Sequence, residues 1–287
     1  SRKISCAGGA PDLVRSATVV LLLLALASTG NEARAEAPHD GDAVADDAHL
    51  DGPEIYRRVL RNRFRSYTQE TTLISGDRGA REQETRLLVS WQNVRDEADQ
   101  PVRGVFSRTR IEYTHPFDIR FTTCLVVDNA DRANDQFVYL PSRRRVRRVN
   151  LRGEAILGTD LSFEDVIPRE IEHSTQKRLP DGMLQGVPVF IVEATPKPGE
   201  DSEYSRFVVS VEKQHFVPIE TRYFDSAGIE VKRLEAPIDS IREFGGIFVP
   251  MRGKMTQLQI ESFTYLTVRS LIPNPEFKES EFDLRRL

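Results

Sequence analysis

The chain has 287 residues, 39% of them hydrophobic and 29% charged, with a formal net charge of −4. That is enough apolar material for one large domain or two small ones with a real core. The acidic balance excludes a general nucleic-acid binder, and two cysteines exclude a disulfide scaffold.

The N-terminus reads as an export signal spanning residues 1–37. Arg2, Lys3 and Arg15 precede the apolar run Ala17 to Ala27, and small-residue A-x-A patterns follow at Ala25, Ala33 and Ala35. A basic region, a short apolar region and a small-residue cleavage site make a secretory signal peptide. The run is about half of the ~20 apolar residues a spanning helix needs, although an uncleaved anchor is the alternative. Cys6 lies before the run, so no lipid-attachment cysteine follows it. Removal of the signal takes four basic and three acidic residues and leaves Cys124, within the apolar run to Val127, as a buried small hydrophobe.

Residues 38–50 form an acidic spacer expected to be disordered. His39 and His49 lie there among Asp40, Asp42, Asp46 and Asp47, a metal site by composition or, more simply, a solvated tail. One domain is then expected over 51–287. Asp51-Gly52-Pro53-Glu54 is a helix start with an N-cap, an early proline and an acid in the first turn. Ile55, Val59 and Asn62 share one face of that helix, with Leu60 beside it, and arginines cover the rest to about Phe64.

From Arg65 onward, β-branched and aromatic runs recur between Gly, Pro, Asp and Asn. Strands are predicted at 67–74, 84–92, 105–114, 118–127, 135–140, 145–150, 187–195, 205–212, 217–224, 229–235, 238–244, 247–260 and 263–271. Phe207, Val209 and Val211 alternate with Arg206, Val208 and Ser210, and Ile219, Thr221 and Tyr223 alternate with Glu220, Arg222 and Phe224. Turns at Ser75 to Gly79, Asp225 to Gly228 and Gly245-Gly246 make a meander, with hairpins 205–212/217–224 and 217–224/229–235. Leu161 to Arg178 is the other helical stretch, split at Pro168. Phe277, Phe282 and Leu284 are expected to anchor a closing tail. No βαβ alternation is visible. The fold class is mainly β with few helices: a large curved antiparallel sheet of about ten strands, forming a half-open barrel with a helical lid. A sheet of that size must curl, split or close. Its concave side is either a filled core or an apolar cavity. For the cavity the candidate lining is Phe207, Val209, Val211, Ile219 and Tyr223, joined by Leu157 and Phe163 from the lid.

Catalytic chemistry is hard to assemble. His115, His173 and His215 lack metal-ligand spacing, and there is no nucleophile elbow or phosphate-cradling glycine loop. Asp160, Glu164 and Asp165 could work as an acid–base set, or they cap and favour the first turn of a short helix. The sequence therefore reads as a non-enzyme without cofactor or metal. Six arginines fall between Arg143 and Arg152. Arg147 or Arg148 could pair with Asp160 or Asp165 and pin the lid, leaving Arg143 and Arg145 as a basic rim suited to phosphate.

The stretch Asp135 to Arg169 carries a resemblance. Tyr139-Leu140-Pro141, then Arg143, Arg147-Arg148-Val149 and Leu157-Gly158-Thr159-Asp160-Leu161-Ser162-Phe163-Glu164-Asp165, is similar to the W-x-Y-L-P, R-R-x-R-R and F-M-G-S-D-F-S-Y-E-D signature of the outer-membrane lipoprotein-sorting proteins, the LolA-like periplasmic carriers. Arg110 to Tyr113, His115 to Arg120, Thr195-Pro196-Lys197 and Tyr223 to Gly228 match as well. Leu157, Thr159 and Leu161 depart from the usual residues, as does the turn Phe121-Thr122-Thr123-Cys124. The resemblance spans residues 53–287. It implies a periplasmic carrier that binds acyl chains of a lipoprotein or lipid and moves them between inner and outer membranes; a monomer is the expectation beside it. It also implies a partner transporter of the resistance–nodulation–division or mycobacterial-large-protein type, and an outer-membrane acceptor. The framework residues implied are Tyr139, Pro141, Arg147, Arg148, Gly158, Asp160 and Asp165. The alternative is a periplasmic adaptor of such a transporter with no cargo of its own.

Overall fold

The computed structural model describes residues 47–79, 82–150, 159–166, 169–200 and 202–284. The expected signal, most of the spacer, Leu157 and Gly158 lie outside these residues. One helix, α1 (Gly52–Arg61), opens the fold. Its start is as the sequence predicts: the Asp51 carboxylate accepts from the Glu54 amide at 2.8 Å. Gly52 has a second role. A Cβ there would lie 2.7 Å from the Arg178 amide nitrogen, so only glycine lets the helix start this close to the sheet. Leu50, at the end of the expected spacer, is buried in the core rather than solvated.

Six strands come first: β1 (Ser66–Gly76), β2 (Glu82–Asn93), β3 (Val105–His115), β4 (Thr123–Asn129), β5 (Asp135–Leu140) and β6 (Arg145–Arg148). A crossover containing the four-residue helix α2 (Phe163–Val166) leads to β7 (Ser174–Leu184). Then come β8 (Val187–Pro196), β9 (Arg206–Glu212), β10 (Pro218–Phe224), β11 (Glu230–Glu235), β12 (Ile241–Phe244), β13 (Ile247–Pro250), β14 (Arg252–Gln257) and β15 (Ser262–Pro273). Thirteen strands form one sheet in the order β6-β5-β4-β3-β2-β1-β15-β14-β11-β10-β9-β8-β7, and β12 pairs only with β13. Every pairing is antiparallel. Among the described residues the sheet curls but does not close, with β6 and β7 at its two edges.

Several expectations are corrected. The sheet is larger than ten strands. Residues 118–122 form a loop, so β4 starts at Thr123. The run 247–260 divides into β13 and β14, and 238–240 is a 3-10 turn before β12. The second helix expected within 168–178 is replaced by a 3-10 turn, Ile171–His173, and the start of β7. This strand is polar, carries Pro180-Asp181-Gly182 and shifts register between Leu179 and Gly182. Such a sequence suits a sheet edge, where proline and a bulge are tolerated. Leu284 is exposed, whereas Phe282 is buried with Phe277 edge-on at 5.3 Å.

The concave side is packed. Ile55 and Val59 of α1 meet Leu73, Val89, Trp91, Ile111 and Tyr113 of the first strands and Phe190, Val192, Phe207, Val209 and Val211 of the last. Tyr67 stacks on Trp91 at 5.5 Å. The β12–β13 hairpin closes over this core with Ile247 and Val249. Its tie to α1 is reciprocal: the Asn62 side-chain amide donates to the Phe248 carbonyl at 2.9 Å and accepts from the Phe248 amide at 3.0 Å.

Candidate functional site: a pinned lid over an aromatic floor

The crossover between the two free edges passes over the end of the concave core. Its floor is aromatic. Phe207 and Tyr223 face each other across β9 and β10 with ring centroids 5.6 Å apart, and Tyr204 packs on both at 5.4 and 5.0 Å. Val209 and Val211 continue the same buried surface. Four candidate lining residues are therefore brought together. Ile219 is not among them. A register shift between Pro218 and Glu220 interrupts the alternation of β10, and Ile219 sits in a separate cluster with Val189 and Val217. Leu157 lies outside the described residues. Phe163 begins α2, but its side chain is not among those described.

Polar contacts hold the lid. The Asp165 carboxylate accepts from the Ser162 amide at 2.7 Å, the Tyr204 hydroxyl at 2.6 Å and the Lys232 ammonium at 2.9 Å. Asp160 accepts from the Ser262 hydroxyl and, at 2.9 Å, from the Thr264 hydroxyl, which in turn accepts from the Asp160 amide. Glu164 accepts from the Arg169 guanidinium at 2.8 Å, the Glu203 amide at 2.9 Å and the Ser202 hydroxyl. Arg169 lies over the Phe207 ring at 3.6 Å, and the Tyr56 hydroxyl donates to its carbonyl at 2.9 Å. These carboxylates serve as structural acceptors: each is occupied by donors from neighbouring elements. Burial raises the Tyr223 and Tyr204 hydroxyl pKa values, and the Asp165 charge pushes both further; both phenols stay neutral, Tyr204 as a donor to Asp165. Burial likewise pushes the Tyr56 hydroxyl up to about 12.

The arginines take a different place from the one expected. Arg148 pairs with Asp135 within the sheet, not with Asp160 or Asp165. The expectation that Arg147 or Arg148 pins the lid is therefore replaced by Lys232, Thr264 and Arg169. Arg143, Arg145 and Arg147 are exposed, on the turn after β5 and along the free edge β6. Tyr139 is half-buried opposite Val146, and Pro141 opens the turn.

A cavity of about 670 Å³ opens beside the lid, lined by Asp128, Arg132, Arg148, Glu164, Arg169 and His173 among others. Behind it lies a buried charge cluster. Glu170 accepts from Arg63 at 3.2 Å and pairs with Arg95 at 2.9 Å. Asp128 is buried, and neither carboxylate oxygen has a hydrogen bond of ordinary geometry. Burial first, then the Glu170 charge, pushes its pKa up to about 7, against the pull of Asn134, Arg95 and Arg63. Among the described residues no group of three His, Cys, Asp or Glu is placed to hold a metal ion, and no helix is long and apolar enough to cross a membrane.

Sequence reasoning missed Tyr204, Lys232, Thr264 and Arg169. Lys232 looks like an ordinary strand lysine, and Tyr204 and Arg169 stand in irregular segments without periodicity. Only tertiary contact gives them a role.

A family model described as "Protein of unknown function (DUF1329)" matches residues 54–151, and one described as "Uncharacterized protein" matches residues 107–287. No curated protein matches in sequence. A domain assigned to outer membrane lipoprotein sorting, from Vibrio parahaemolyticus, is similar with a TM-score of 0.73 at 22% identity, over 82% of this chain and 97% of that one. A DUF1329 family protein from Desulfovibrio piger gives 0.73 at 20% identity, over 80% and 95%. A LolA superfamily protein from Nitrosomonas europaea gives 0.66 at 15%, over 83% and 100%. Part of the chain, residues 54–151, thus matches the DUF1329 model, and the fold is similar to those of these three proteins, a LolA superfamily protein among them.

Proposed function

We propose that the protein is a periplasmic carrier that holds the acyl chains of a lipid or lipoprotein on the floor of Phe207, Val209, Val211 and Tyr223, beneath the crossover. The observation that carries this reading is the contrast between floor and lid. The floor is apolar and buried, while the lid is held over it by discrete polar contacts from Lys232 and Thr264 and from the Tyr56 hydroxyl to the Arg169 carbonyl. Polar pins can exchange for water when the lid lifts, at a net cost of about 1.5–3 kcal/mol for each hydrogen bond to a charged group. The uncovered floor then gains about 0.8 kcal/mol for each methylene it takes from water. The free edges β6 and β7 leave the sheet room to open there. The polar cavity at the lid's margin would take the headgroup, with Arg148, Arg169 and His173 among its donors. The role is non-catalytic. Cargo would be loaded at the inner membrane, beside a transporter of the resistance–nodulation–division type, and passed to an outer-membrane acceptor. The test is extraction of the protein purified without detergent: co-purifying acyl lipid supports the reading, and an empty protein that also refuses a fluorescent fatty acid removes it.

A further inference from the structure

Two neighbouring loops at one end of the sheet combine exposed aromatics with unpaired positive charge. The loop after β3 and the turn after β5 are adjacent because β4 pairs with both strands, Thr123 standing opposite Glu112 on one side and Tyr139 on the other. In the first loop Phe117 is 88% exposed and Phe121 52% exposed. The rings are not on a loose tail. The Phe121 amide donates to the Tyr113 carbonyl at 2.8 Å, and the Thr122 amide to the Ile119 carbonyl at 3.0 Å. Phe121 also sits at φ +67°, a left-handed conformation uncommon for a bulky side chain. Arg120 lies over the Phe121 ring at 4.6 Å. The second turn contributes Arg143, Arg144 and Arg145, all exposed. Across the two loops, residues 116–122 and 141–145, four arginines face one acid, Asp118. Further round the same end, Leu258 and Ile260 on the β14–β15 turn and Ile229 on the β10–β11 turn are also exposed. Among the described residues, half of the exposed large hydrophobic side chains thus fall on these turns, although the chain as a whole is acidic.

We propose that this end of the sheet docks on an anionic lipid bilayer, with Phe117 and Phe121 entering the interface and Arg120, Arg143, Arg144 and Arg145 binding lipid phosphates. Isolated apolar tips on separate loops suit a fluid surface that closes around each one. Guanidinium forks match phosphate oxygens, and basic residues near an anionic leaflet add affinity one by one. The inference goes beyond the carrier reading and needs no cargo.

The test uses the full chain carrying Phe117→Trp, read as the difference from the parent, whose single tryptophan, Trp91, is buried in the core. With phosphatidylglycerol vesicles the emission of the introduced indole is expected to shift to the blue and to be quenched by lipids brominated on the acyl chain. Arg143→Gln with Arg145→Gln, both exposed and outside the core, is expected to weaken partitioning about 25-fold, from about fivefold per arginine. Raising ionic strength from about 0.1 to about 1 M, which shortens the screening length from about 10 to about 3 Å, is expected to weaken it further. No shift with anionic vesicles overturns the proposal. So does an equal shift with neutral phosphatidylcholine vesicles that the arginine changes leave untouched. A shift seen only with a solubilised membrane protein overturns it in favour of a protein partner.

Discussion

The Asp165 carboxylate, 0% exposed, lies 2.9 Å from the Lys232 ammonium on β11. This contact joins the lid to a strand 67 residues further along the chain. Breaking one side of a buried ion pair costs several times what the pair contributes, because the other charge stays buried alone. Lys232→Met is therefore expected to destabilise the lid by about 3 kcal/mol, although the Tyr204 hydroxyl and the Ser162 amide still hold the carboxylate. Hydrogen exchange should show faster opening of residues 159–166 with little change in β1 and β2. Uniform acceleration across the sheet would mean that lid and barrel open as one unit.

Glu170 makes a stricter case. It sits between Arg63 and Arg95, and all three side chains are buried. Glu170→Gln is expected to cost about 3–5 kcal/mol by leaving two buried guanidiniums with an uncharged partner. Urea denaturation would read this as a lower midpoint at unchanged slope.

Thr264 is wholly buried and bonds to Asp160 in both directions and to the Ser75 hydroxyl at 3.0 Å. Thr264→Val keeps the shape and removes every one of these bonds. A loss of about 1–3 kcal/mol is expected, and thermal unfolding of the purified variant measures it.

Asp128 gives stability a pH dependence of known sign. The folded chain holds its proton up to about 7, whereas an unfolded aspartate releases it near 3.9. Between those values the native state binds more protons than the unfolded state. Stability is therefore fully present below about pH 4 from this group and is lost as pH rises through about 7. Asp128→Asn should flatten that decline. At pH 8 the variant should exceed the parent by at most about 4 kcal/mol, while at pH 4 the two should be alike. Denaturation midpoints at the two pH values decide it.

The helix start, the two hairpins of β9, β10 and β11, and the meander were legible in the sequence because each depends on local chemistry. Asp51 caps its own helix, and the glycine at 228 takes a left-handed turn. Phe207, Val209 and Tyr223 were legible for the same reason, through period-two alternation. Ile219 was not, because a bulge is a property of the paired strand and not of the residue. Strand β7 was hidden because an edge strand needs little apolar character. Lys232 was hidden because its partner Asp165 lies 67 residues away, and Arg169 because its place over the Phe207 ring is a tertiary contact. A charge placed at Val209 tests folding as much as binding, since that residue is buried in the core; the lid pins are the better lever on function.

The most direct measurement is mass spectrometry of an organic extract from the protein purified without detergent, made in parallel on Lys232→Met. The account predicts stoichiometric acyl-chain lipid in the parent, and faster exchange of that lipid with added fluorescent fatty acid in the variant. A parent that yields no lipid, together with a variant of loosened lid that takes up no fatty acid, would contradict it.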